Sequence, residues 1–177
     1  MAGAGEEAPP LRVRRRPIRA LLRRMSRATF GALTHLEVLG RENLPRHGPL
    51  IVVSNHFSFM DPALLVGLLP WALDFVGGHR MPNAPDIVTF IPRMWGIFPV
   101  FRGSVASRRA LRDAERVLND GGILGIYPEA GSWASVLRPP RPGAAFLAVR
   151  TGAPLLPIGV DGLTEVLARL RQGRRAR

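Results

Sequence analysis

Two short, almost unbroken apolar runs constrain this chain more than any other feature: Leu50-Ile51-Val52-Val53 and Ile123-Leu124-Gly125-Ile126-Tyr127. Runs of that length without polar alternation read as strands covered on both faces, as in a sheet packed between helices. The segments around them fit that arrangement. Leu36 to Leu39 reads as a short first strand and Pro62 to Leu69 as a helix after the Leu50 strand. Leu73 to Val76 and Ile97 to Phe101 read as further strands, the latter ending at Arg102-Gly103. An amphipathic helix from Val105 to Leu118 ends at Asn119-Asp120-Gly121-Gly122, a combination suited to stopping a helix. Helix Ala144 to Arg150 stops at Gly152, strand Leu155 to Val160 follows, and a basic helix closes the sequence. The expected fold is a single-domain α/β sandwich, with a mixed, largely parallel sheet flanked by helices.

At 177 residues and 46% hydrophobic the chain can build one real core, and it is short for two ordinary domains. It has no cysteine, which removes disulfides, thiolate metal sites and a catalytic thiol of its own. The first ten residues contain Glu6, Glu7 and two prolines and no apolar segment, so a secretory signal is not expected. The longest apolar stretch, Pro62 to Leu73, falls short of the roughly 18 to 20 residues of a spanning helix, so no transmembrane helix is expected either.

All 25 basic residues are arginine, against 13 acidic ones, for a net charge of +12. Eight of them (Arg12, Arg14, Arg15, Arg16, Arg19, Arg23, Arg24 and Arg27) crowd one segment, while Ile18, Leu21, Leu22, Met25 and Ala28 recur among them at helical spacing. Residues 1–33 therefore read as a basic amphipathic segment set apart from a globular part, 34–177. Such a helix suits an anionic membrane surface, its apolar stripe in the interface and its arginines near the headgroups. The other readings are a helix packed on its own domain with a solvated basic face, and phosphate contacts to nucleic acid. No aromatic residue is interleaved with the arginines, so no nucleic-acid partner is expected.

The segment Asn55-His56-Phe57-Ser58-Phe59-Met60-Asp61-Pro62 follows the first buried-type strand directly. It sets an imidazole and a carboxylate five residues apart at a strand-to-helix turn, with Asp61-Pro62 reading as N-cap and first helical position. Alone, the pair reads better as a capping aspartate beside a buried histidine satisfied by backbone than as a catalytic pair. His35, His47 and His79 are scattered and supply no ligand set around His56, so no metal is assigned. The absence of a Gly-x-Ser-x-Gly elbow argues against a serine hydrolase.

Three further segments fall at strand ends, where α/β proteins usually bind ligands. Phe101-Arg102-Gly103-Ser104 offers a guanidinium beside a glycine, suited to a phosphate. Tyr127-Pro128-Glu129-Ala130-Gly131-Ser132-Trp133 places a carboxylate after a buried strand, and Pro154-Leu155-Leu156-Pro157-Ile158-Gly159-Val160 is a strand edged by prolines. Taken singly these are a surface arginine, a turn and a structural strand.

Their order resembles the four sequence blocks of the glycerolipid acyltransferases, typified by lysophosphatidate acyltransferase, over roughly Glu37 to Val160. The resemblance makes 34–177 an acyltransferase domain and His56 and Asp61 its catalytic pair, the HxxxxD motif. It assigns acceptor-phosphate contact to Arg102 beside Gly103, substrate binding to Glu129 and Gly131, and the acyl side to Pro154 and Pro157. It departs at the third block, where the family usually has Pro-Glu-Gly followed by a small polar residue and often an arginine. Here Ala130, Gly131, Ser132 and Trp133 follow Glu129, leaving Arg138 or Arg141 in the next loop to take the arginine's part. Arg141-Pro142-Gly143 resembles the basic-then-glycine step common there, and the additional C-terminal strand and helix of many members are expected to be absent or abbreviated.

The implied reaction moves a fatty acyl group from acyl-CoA, or acyl carrier protein, to the hydroxyl of 1-acyl-sn-glycerol-3-phosphate or a related lysophospholipid. No cofactor is implied beyond that co-substrate. An imidazole, with an ordinary pKa of about 6.5, suits removal of the hydroxyl proton, and a carboxylate on its other nitrogen fixes the tautomer. The acceptor's hydroxyl replaces a protein nucleophile, so one tetrahedral intermediate and no acyl-enzyme are expected. The protein would act in the cytoplasm, peripheral on the inner face of the cell membrane. The alternative is a catalytically silent lipid-binding or membrane-surface protein of the same fold.

Overall fold

In the computed structural model, which describes residues 16–77, 94–95, 98–99, 105–130 and 136–173, the first apolar run forms β1 (Leu50–Ser54) at the heart of the sheet. The second forms β4 (Ile123–Ile126) beside it, with Leu50 opposite Ile123 and Val53 opposite Ile126. On its other side β1 pairs with β5 (Leu155–Ile158), and β4 continues to β2 (Asp74–Gly77) and the two-residue β3 (Phe98–Pro99). The order is β3-β2-β4-β1-β5 and every described pairing is parallel. The expectation of a largely parallel sheet is thus met. The helices are α1 (Arg16–Leu33), α2 (Asp61–Leu68), α3 (Val105–Asn119), α4 (Gly143–Thr151) and α5 (Leu163–Arg171).

Burial on both faces explains why β1 lacks alternation. Leu50 and Val52 point into a core with Leu65, Leu69, Phe75 and Trp95. Ile51 points the other way, onto Ala114, Leu118 and Leu147 of the inner faces of α3 and α4, beside Leu124 of β4. Successive residues of a strand face opposite sides, so a strand with a helix layer on each side is apolar throughout. Gly121, at φ 71°, ends α3 in the left-handed region where only glycine sits without a Cβ penalty, and Gly122 donates back to the Val117 carbonyl at 2.7 Å. Gly152, at φ 69°, ends α4 in the same way.

Leu36 to Leu39 is a correction: it forms no strand, and Leu39 stands 83% exposed. All four residues stand exposed and pair with no described strand, and β1, the strand that follows them, is already flanked by β4 and β5. The expected strand from Ile97 to Phe101 is described only at Phe98–Pro99, the rest lying outside the described residues.

The helix expected among the N-terminal arginines is α1; it packs on the domain, and of the expected apolar stripe only Leu22 packs inward. Ile18, Leu21, Met25 and Ala28 are exposed, whereas Arg19, Arg23, Ser26 and Phe30 turn toward the domain. Arg23 donates to the Leu69 carbonyl at 2.8 Å and Arg27 to that of Gly67 at 3.0 Å, so two guanidinium groups sit on the carbonyl-rich C-terminal end of α2. Burial first, then repulsion from Arg27, holds the Arg23 pKa below its ordinary value. Gly67 allows the close approach, since a Cβ there would come within 2.7 Å of Ser26 Oγ. Arg19 goes deepest: its NH2 pairs with Asp74 at 2.6 Å, its Nε donates to the Trp95 carbonyl at 2.9 Å, and its guanidinium lies 5.1 Å from the Trp95 ring centre.

Candidate active site

In a parallel sheet the loops that follow the strands gather along one edge. Three of them converge here. Asn55 and His56 follow β1, Tyr127 and Glu129 follow β4, and Val160 follows β5. Asn55 ties the first loop to the third: its side-chain amide donates to the Val160 carbonyl at 2.6 Å, and its Oδ1 accepts the Val160 N–H at 2.7 Å. The two bonds extend the β1–β5 contact past the last strand pair and fix where the chain turns into His56.

His56 Nδ1 lies 3.0 Å from Asp61 Oδ2. The aspartate is 1% exposed and the histidine side chain 18%, so the pair is rooted in the protein with the imidazole at its surface. Asp61 Oδ2 also accepts the Ser58 N–H at 2.8 Å, which closes the five-residue turn on the carboxylate. The capping expectation needs correction. Asp61 is the first residue of α2, Met60 stands at the N-cap, and no side-chain capping bond forms. A carboxylate committed to His56 and Ser58 is turned away from the free N–H groups of its own helix.

Glu129 is 6% exposed and engages two main-chain donors: Oε1 accepts the His56 N–H at 2.9 Å and Oε2 the Arg138 N–H at 3.1 Å. The Arg141 N–H donates to the Pro128 carbonyl at 2.8 Å, drawing the loop back beneath the site, while the Arg141 residue is exposed. Ala130 stands at φ 45°, the one described non-glycine residue at positive φ, at the position where the sequence departs from Pro-Glu-Gly. Pro157 lines an open groove of about 670 Å³ with Phe57, Leu137, Arg138, Pro140 and Ile158, a mostly apolar trough against Glu129. Arg102, Gly103 and Gly131 lie outside the described residues.

The structure therefore brings His56, Asp61, Glu129 and Pro157 to one edge of the sheet. It adds three residues to which the sequence reading gave no role. Asn55 locks β1 to the Val160 loop, and the Ser58 main chain orients Asp61. Tyr127 stacks on the His56 ring at 4.2 Å between centroids. Their signal was adjacency: each stands within three residues of His56, Asp61 or Glu129. Among the described residues no group of three or more His, Asp or Glu side chains comes together as metal ligands.

A buried carboxylate orienting a histidine at the strand-end edge of a parallel α/β sheet, beside an apolar trough, defines a class of fold and site that can be compared with known proteins. Residues 35–161 match the Acyltransferase family. The chain is 28% identical over 123 residues to a 1-acyl-sn-glycerol-3-phosphate acyltransferase of Borreliella burgdorferi, covering 68% of this chain and 49% of that protein. It is 28% identical over 134 residues to the chloroplastic 1-acyl-sn-glycerol-3-phosphate acyltransferase BAT2 of Brassica napus, covering 74% and 38%. The crystal structure of the 1-acyl-sn-glycerophosphate acyltransferase PlsC from Thermotoga maritima superposes with a TM-score of 0.63 at 24% identity, over 85% of this chain and 61% of that one. The protein belongs to the Acyltransferase family. It spans less than half the length of these two sequence relatives.

Proposed function

We propose that this protein transfers a fatty acyl group from acyl-CoA or acyl carrier protein to the free hydroxyl of 1-acyl-sn-glycerol-3-phosphate or a related lysophospholipid. The observation that carries the reading is the 3.0 Å contact between His56 Nδ1 and the buried Asp61 carboxylate. With Nδ1 committed to Asp61, proton abstraction falls to Nε2. His56 takes the proton from the acceptor's hydroxyl as its oxygen attacks the thioester carbonyl, and Asp61 stabilises the imidazolium that forms. Collapse of the tetrahedral intermediate expels the thiolate, which His56 reprotonates. The apolar groove along Pro157, Leu137 and Pro140 receives the acyl chain. Arg102 and Arg141 are the guanidinium groups assigned to the acceptor's phosphate, with Gly103 and Gly131 allowing close approach of backbone to substrate.

The exposed stripe of α1 supports a peripheral membrane setting, on the cytoplasmic leaflet where the acyl donor is available. Ile18, Leu21 and Met25 face outward beside exposed Arg16 and Arg24, a pattern suited to an anionic bilayer surface. Among the described residues no helix is long and apolar enough to cross a membrane.

The deciding experiment follows thiol release by the purified protein from an acyl-CoA against a panel of acceptors. Release with a lysophospholipid, abolished in His56→Ala, is the expected result. Silence across the whole panel removes the enzymatic reading.

A further inference from the structure

A hydrogen bond at Nδ1 sets one edge of an imidazole, and the tilt of the ring depends on what packs on its faces, because the terminal torsion of the side chain is broad. In this protein the ring face is also occupied. The Tyr127 ring lies against it with centroids 4.2 Å apart and planes 21° apart.

Tyr127 is itself held from behind. The Phe75 ring runs nearly parallel to it, 3° between planes and 6.2 Å between centroids. Phe75 is 3% exposed and sits in the core with Leu50, Val52, Leu65 and Trp95. It lies across Gly125, its register partner on β4, where a Cβ would come within 2.6 Å of the Phe75 ring. Gly125 thus seats Phe75, Phe75 backs Tyr127, and Tyr127 covers His56. The phenol hydroxyl is buried and has no hydrogen-bond partner among the described residues, so the ring rather than the hydroxyl engages its neighbours.

We infer that Tyr127 is a positioning residue for the His56 base, its ring face holding the imidazole so that Nδ1 stays on Asp61 while Nε2 is presented to the acceptor's hydroxyl. The inference rests on His56 being the base of the proposed acyl transfer. Stacked aromatic pairs are favourable beyond simple burial, and an electron-rich ring face also favours the positive charge that the imidazole gains on taking the proton. Both effects belong to the ring. Phenylalanine therefore supplies them and leucine does not.

The test reads the His56 ring directly in the full chain with carbon-13-labelled histidine, its Cε1–H resonance identified by its loss in His56→Gln. In the wild type the ring current of Tyr127 should shift this resonance upfield of those from exposed His35 and His47. The shift should persist in Tyr127→Phe and vanish in Tyr127→Leu. In thiol-release assays Tyr127→Leu should lose about 3- to 10-fold in kcat with KM nearly unchanged, and Tyr127→Phe should restore it. A His56 resonance without upfield shift in the wild type overturns the inference even if the leucine variant fails to fold. So does a Tyr127→Leu protein with wild-type kcat. Because the resonance is read without substrate, a Tyr127-dependent shift in a protein that releases no thiol removes the acyl-transfer reading and leaves the stacking supported.

Discussion

Glu129 holds the main chain of His56: Oε1 accepts the His56 N–H at 2.9 Å while Oε2 accepts the Arg138 N–H at 3.1 Å. One buried carboxylate thereby fixes both the turn that carries His56 and the loop that lines the groove. Glu129→Gln keeps the shape and replaces one acceptor by an amide NH2 that faces an N–H donor. A buried donor left unsatisfied costs about 1–3 kcal/mol, and a displacement of about 1 Å at a reacting group can cost about 100-fold in rate. The variant should lose about 1–3 kcal/mol in denaturant unfolding and about 10- to 100-fold in kcat. A glutamate serving only as a substrate contact would instead raise KM and leave unfolding unchanged.

Ala130 follows Glu129 at φ 45°, in the left-handed region that penalises a Cβ by about 1–2 kcal/mol. Ala130→Gly removes that strain and returns part of the gain as unfolded-chain entropy. The net expected effect is a stabilisation of about 0.5–1 kcal/mol, read as a higher urea midpoint at constant slope. Loss of stability would mean that the turn uses the Ala130 methyl for packing.

Much of this architecture was legible because burial leaves a pattern in sequence. β1 and β4 lie between two helix layers and lack polar alternation, and α3 and α4 end at the glycines that stop them. Leu36 to Leu39 has the composition of a strand, yet strand formation depends on pairing with a neighbouring strand, which local composition does not encode. α1 was legible in part. Its apolar stripe was visible, but Arg19, Arg23 and Arg27 find carbonyl and carboxylate partners far along the chain, at Trp95, Leu69, Gly67 and Asp74, and those contacts turn the arginines inward. The His56–Asp61 pair was legible from its spacing. The stacking of Tyr127 on His56 was not, because it depends on β4 lying beside β1 in register.

Tyr127 is the sole tyrosine of the chain, so absorbance of the ionised phenol reports on it alone. Burial, reinforced by the nearby Asp61 carboxylate, pushes its pKa well above the ordinary 10.0. Above about pH 10 the unfolded chain releases this proton while the folded protein retains it, so stability falls as pH rises, by up to about 1.4 kcal/mol per pH unit. Tyr127→Phe has no such proton and should outlast the wild type in alkaline unfolding, the pH-dependent part of the difference disappearing below about pH 9. Phenol ionisation in the folded wild type at the ordinary pH would contradict this.

Arg19 and Asp74 form a buried ion pair, with side chains 5% and 2% exposed. Removing one partner of such a pair strands the other charge, at about 3–5 kcal/mol, whereas replacing both by apolar groups of similar volume is often near neutral. Arg19→Met and Asp74→Leu should each destabilise strongly, and the double variant should recover most of the loss. A double-mutant cycle by denaturant unfolding measures the coupling. Additive losses would show that Arg19 acts mainly through the Trp95 carbonyl and ring.

Leu21 and Met25 are 57% and 56% exposed on α1, on the face turned away from Arg19 and Arg23. Deleting the helix would strip α2 of its arginine contacts, so point charges on the outer face give the cleaner test of membrane docking. Leu21→Glu with Met25→Glu removes apolar contact and adds two charges that an anionic surface repels, while no interior contact changes. The double variant should unfold within about 0.5 kcal/mol of the wild type and float with anionic vesicles at least about tenfold less well. The wild type's own flotation should weaken between low and high salt, because the exposed arginines beside the stripe act through a screened field. Undiminished flotation of the double variant would move the membrane contact off α1.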